Sequence, residues 1–191
     1  MNQEQLAVKF AQIKDLSEMM VNLAYSSLLY GSEEIADHVL EMEEKVDKLH
    51  TEFELTVLEL RETRPVKGLL GLIRLALASE ELADAAATMA HIVKRGVRAH
   101  PVMRRAMERA EETIVATEIV QDSILGGKSL GELGLEDDIG MRIIAIRRGG
   151  DWMYNPSDSF VINLGDLIIA RGYAEGREKL LTLANPMHTH E

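Results

Sequence analysis

The stretch Ser79–His91, "SEELADAAATMAH", has the alanine-rich composition of a plain buried helix, yet it holds Glu80, Asp84 and His91. At about 100° per residue, the face of Glu80 also carries Leu69, Ile73, Ala76, Ala83, Asp84, Ala87 and His91. Carboxylates on such an apolar, small-residue face cost several kcal/mol each if buried unpaired. A salt bridge to an arginine, a metal ion or exposure to water must compensate.

Outward from this stretch, residues 1 to about 115 read as helix. Leu6, Phe10, Ile13, Leu16, Met20 and Leu23 recur at helical spacing until Gly31. Ser32 fits an N-cap, with Glu33 and Glu34 in the favourable first turn. A second helix to about Arg61 carries Ile35, Val39, Met42, Val46, Leu49, Phe53, Val57 and Leu60 on one stripe. A third runs from about Lys67 to Arg98, and Pro101 opens a fourth at the first-turn position that proline tolerates. Long helices with short joints predict an antiparallel bundle.

Beyond about residue 115 the period changes. Ten of the 14 glycines lie between 126 and 176, and β-rich runs appear: "TEIVQ", "RIIAI", "DWMY", "FVI" and "DLIIA". Gly149-Gly150 reads as a hairpin turn, "KSLGEL" as a short helix and "AEGREKLLTL" as a closing helix. The predicted fold class is α then α+β, with a helical bundle over residues 1–112 and a small α+β domain over residues 113–191.

The second helix repeats the motif of the third. Glu43 and Asp47 have the Glu-x-x-x-Asp spacing of Glu80 and Asp84, and His50 and Glu54 continue the row. Facing antiparallel helices bring Glu43, Asp47, Glu80 and Asp84 together as candidate ligands for iron, manganese, zinc or magnesium. The competing reading is a solvated acidic flank.

Twin "EEKVD" and "SEELADAAATMAH" motifs on successive long helices resemble a PhoU-type bundle over roughly residues 5–115, as one repeat where typical members have two. That resemblance implies that such motifs hold metal clusters. "GKSLGEL", "AIRRGG", "NPSDSFVINLGD" and "LIIARG" follow in order over about residues 112–183, and together they resemble the TrkA-C domain. This is the C-terminal lobe of the RCK modules that regulate potassium and other cation transport. It implies a dimerising α+β lobe with a regulatory ligand, and some members bind cyclic di-AMP at the dimer interface. Arg147 and Arg148 offer forked donors to phosphate. Asn155 precedes Pro156 in an extended segment, and Ile143, Ile144 and Pro156 offer apolar cover for a base. The two arginines also read as strand-end surface charges.

The net charge of −11 argues against nucleic-acid binding, and the absence of cysteine removes disulfides, thiolate metal sites and cysteine nucleophiles. "GGKS" lacks the glycine a phosphate loop needs, because Asp122 stands there, and no Gly-x-Gly-x-x-Gly follows a strand. "MNQEQLAVKF" has no signal core and no apolar run is long enough for a membrane span, so a cytoplasmic protein is expected. The basic group Lys94, Arg95, Arg98, Arg104, Arg105 and Arg109 reads as a docking face or a solvated one, and His188 and His190 as a frayed tail. No nucleophile–base set is legible. The expectation is a non-enzymatic homodimer that regulates a membrane cation transporter or channel through a small nucleotide ligand. The alternatives are a carboxylate-bridged metalloenzyme and a metal-binding or structural dimer.

Overall fold

The computed structural model describes residues 3–62, 64–97 and 99–186; Arg98, His188, His190 and the Arg104 side chain lie outside the described set. Its backbone contacts divide the chain into two compact units, residues 1–99 and residues 100–191. The change of sequence period points to a boundary at 112, whereas by backbone contacts the helix that opens at Pro101 groups with the second unit.

The first unit consists of α1 (Gln3–Tyr30), α2 (Glu33–Glu59) and α3 (Val66–Lys94), each packed against the other two, with a 3-10 turn at Leu60–Glu62. The stripes read from the sequence form its core. Ile13, Met20 and Leu23 of α1 are fully buried, as are Val39, Val46, Phe53 and Val57 of α2. From α3 the core takes mostly alanines: Ala76, Ala83, Ala86, Ala87 and Ala90. Small side chains there let α3 approach its neighbours closely. Ser17, Ser26 and Ser27, buried in α1, return their hydroxyls to backbone carbonyls of the preceding turn and so leave no orphan donor. Ser32 caps α2 as its sequence position predicts, accepting from the Ile35 N–H at 3.3 Å.

The second unit opens with α4 (Pro101–Glu108), which stops after two turns, and the chain then enters β1 (Glu112–Glu118). The strand therefore begins five residues before the "TEIVQ" run that marked it in the sequence. After β1 come α5 (Leu130–Leu133), α6 (Leu135–Ile139), β2 (Met141–Arg148), β3 (Asp151–Tyr154), β4 (Leu167–Tyr173) and α7 (Ala174–Ala184). The sheet order is β1-β4-β2-β3, antiparallel throughout. "FVI" contributes only a single bridge, Val161 to Ser129.

Met141, Ile143, Ile146, Ile168 and Ala170 of the sheet pack with Leu135, Leu180 and Ala184 of the helices as one core. Gly149, at φ +63°, turns β2 into β3. Gly172 is dictated by sheet closure: a side chain there would run into the Gly140 carbonyl.

Candidate functional site

The early part of α2 meets the late part of α3, as the Lys94 to Asp37 hydrogen bond of 2.9 Å shows. The two helices are thus antiparallel, and their acidic motifs face each other. Carboxylate oxygens of Glu43, Asp47 and Asp84 lie within 4.8 Å of one another. Glu80, the fourth expected ligand, is outside that trio and sits in the electrostatic field of Asp84, His50 and Asp47.

The sequence left open whether an arginine neutralises this row. Among the described residues no ion pair closes on Glu80 or Asp84. The charges remain close together, with Asp47 and Asp84 exposed to water and Glu43 and Glu80 half-buried. Burial pushes the Glu43 carboxyl up from its ordinary value, and Asp47 and Asp84 push it further. Burial also raises Glu80, helped by Asp84 and opposed by His50. The His50 Nε2 is buried with no hydrogen-bond partner; Glu54 Oε1, at 3.6 Å, is within ion-pair range but not bonding range. Carboxylate oxygens beside an imidazole nitrogen with unused bonding capacity suit a hard or borderline cation.

In the second unit, a cleft of about 440 Å³ lies between α5–α6 and the start of β2. Ile143 and Pro156, both expected at a ligand site, line it together with Arg142, Glu136, Asp137 and Asp158. Ile144, Arg147 and Arg148 do not line this cleft. Ile144 is buried, and its carbonyl accepts from the Asn155 N–H at 2.9 Å. Arg147 lies over the Trp152 ring at 5.8 Å. Arg148 forks onto Asp166 through Nε and Nη2, each at 2.9 Å, donates to the Val161 carbonyl at 2.7 Å and stacks over Phe160. Its donors thus serve the loop before β4.

The residue that the sequence reading passed over is Arg142. Its Nη2 donates to Asn155 Oδ1 at 3.1 Å, which ties it to an expected site residue. In the β2–β4 register it stands directly opposite Arg171. Both guanidinium-bearing residues border a second depression beside the cleft, with Glu112, Glu136 and Tyr173. Like charges directly opposite across a sheet are destabilising, so an anion resting on this pair gains from both.

With this geometry in view, comparison with known proteins is informative at the level of domains. The PhoU domain family matches residues 10–93, and the TrkA-C domain family matches residues 114–185. Potassium channel protein 1 of Methanocaldococcus jannaschii is 36% identical over 70 residues, which is 37% of this chain and 21% of that protein. The chain therefore spans about a fifth of the length of that relative. The RCK_C domain dimer of S. agalactiae BusR, solved with c-di-AMP, is 30% identical with a TM-score of 0.36. The match covers 38% of this chain and 96% of that one. S. agalactiae BusR in complex with its busAB-promotor DNA is 20% identical with a TM-score of 0.36, over 89% of this chain and 96% of that one. The chain thus matches the PhoU domain family within its first unit and the TrkA-C domain family within its second.

Proposed function

We propose that this chain is a regulatory protein of a membrane cation transport system, with potassium as the first ion to test, and that its TrkA-C domain responds to an anionic nucleotide. The observation that carries the reading is the opposed Arg142–Arg171 pair, with Asn155, Ile143 and Pro156 beside it. Guanidinium forks suit phosphate oxygens, and the isoleucine and proline give a base an apolar surface. The TrkA-C match and the identity shared with a potassium channel protein support the regulatory role. Among the described residues no helix is long and apolar enough to cross a membrane. A ligand that favours one arrangement of a homodimer shifts the population toward it, and the partner reads that shift.

Cyclic di-AMP, the ligand implied by the TrkA-C resemblance, is the first probe. A ligand that binds only the folded state stabilises it by about 2.7 kcal/mol at a hundredfold excess over its Kd. The melting temperature is expected to rise with cyclic di-AMP. The rise should shrink in Arg142→Ala and in Arg171→Ala and persist in Arg148→Lys. No heat and no melting shift with cyclic di-AMP, cyclic di-GMP or ATP would remove the sensing role from this domain.

A second reading adds a metal to the first unit. It rests on the convergence of Glu43, Asp47 and Asp84, with the half-buried Glu80 in the field of Asp84 and Asp47. Glu80 completes the proposed ligand set from the next turn of α3. A divalent or trivalent ion there neutralises the clustered charge. Elemental analysis of protein prepared without chelators is expected to find iron, manganese, zinc or magnesium, and Asp47→Ala with Asp84→Ala should lose it. Equal metal content in both proteins would overturn this reading without touching the first.

A further inference from the structure

Besides the faces it turns toward α1 and α2, α3 carries an apolar stripe that neither site uses. Gly71, Leu75, Ala78, Leu82, Ala85 and Met89 follow one another at alternating intervals of four and three. Leu75 and Leu82 are each 51% exposed; Gly71, Ala78 and Ala85 are also exposed, and Met89 is half-buried. The alternating four-three spacing from 71 to 89 is the one that lets one helix pack along another.

The stripe alternates in size as well as in spacing. Leu75, Leu82 and Met89 are large; Gly71, Ala78 and Ala85 are small. Gly68 and Gly71 stand inside the helix, where glycine weakens it. A side chain at either position would meet nothing within 4 Å in this chain. Packing within the chain therefore gives no reason for them.

We propose that this stripe seats the α3 helix of a second copy of the chain, running antiparallel. In one register Leu75 faces Ala78 of the second copy, Leu82 faces Gly71, and Gly68 faces Ala85, so that every leucine lands on a small residue. The border of the stripe selects the same register. Arg74 and Glu81, both exposed, lie along one edge a heptad apart. The antiparallel pairing brings Arg74 of each copy beside Glu81 of the other. A basic partner would call for an acidic border and an anionic lipid surface for a basic one. A border with one charge of each sign, a heptad apart, complements itself.

The full chain has no cysteine, so thiols introduced on the stripe react against a clean background. Leu75→Cys with Ala78→Cys is expected to form a covalent dimer under mild oxidation at micromolar concentration. The rate should exceed that of a control pair on exposed α2 positions, Lys45→Cys with Lys48→Cys, by about a hundredfold, because docked thiols meet at millimolar effective concentration. In the cysteine background Arg74→Glu or Glu81→Arg alone should slow the reaction roughly fivefold through repulsion across the border, and the two together should restore it. A rate equal to the control overturns the proposal, as does a double reversal that stays slow. Neither result depends on whether the TrkA-C domain binds a nucleotide.

Discussion

Asp166 is 1% exposed and ionised, and its surroundings show how this protein holds a buried charge. Burial pushes its carboxyl up, but the Arg148 fork and the Asn163 N–H, donating at 2.8 Å, outweigh burial and hold it below the ordinary value of 3.8. A carboxyl depressed in the folded state favours folding above its unfolded pKa, and the benefit disappears as pH falls through the folded value. Arg148→Ala leaves the carboxylate with only the Asn163 N–H and is expected to cost about 1–3 kcal/mol in denaturant unfolding, since water screens the half-exposed arginine. Arg148→Ala with Asp166→Ala should recover part of that loss. The acidic row has the opposite sign. Glu80 is raised in the folded state, so the protein loses stability as pH rises from the ordinary glutamate value of 4.5 through the folded value. Glu80→Gln relieves repulsion from Asp84 one turn away and is expected to raise metal-free stability at pH 7 by about 0.5 kcal/mol. A matching gain at pH 4, where the carboxyl is already protonated, would contradict this account.

At the scale of elements, the helix stripes were legible because their signal is local. Phe53, Val57 and Val46 repeat on one face whatever α2 packs against. The acidic motifs were legible for the same reason, and antiparallel packing of consecutive helices brought them together. The arginine pair was not legible, because Arg142 meets Arg171 only through a register that a β-bulge between Ile143 and Ala145 adjusts. The Arg148–Asp166 fork was not legible, because tandem arginines at a strand end look alike in sequence whether or not Asp166 claims one of them. The start of β1 was hidden because α4 ends after two turns with no proline or glycine to mark the change to strand. The short α5 has a complete local signature. Ser129 accepts from the Glu132 N–H at 3.3 Å, and Glu132 Oε2 accepts from the Ser129 N–H at 2.9 Å. Ser129→Ala is expected to cost about 1 kcal/mol and to loosen the wall of the cleft, visible as faster amide exchange at residues 130–133.

At the scale of the whole chain, each unit has its own apolar interior. The first is built on Phe53, Met20 and Leu23, the second on Ile146, Ile168 and Leu180. A chain segment with a closed core folds without help. Residues 100–191 expressed alone are therefore expected to unfold cooperatively, and to keep the cyclic di-AMP response proposed for the chain. Failure of that segment to show a sigmoidal melt would mean that its core is completed by the first unit. The same self-sufficiency has a genetic consequence. A reading-frame junction near Ala99 interrupts neither interior, so recombination at this point can exchange one unit for a different one while leaving the other intact. A lobe held in this way is portable: it can be spliced behind a new partner unit, or lost, without the remaining half having to evolve a new core.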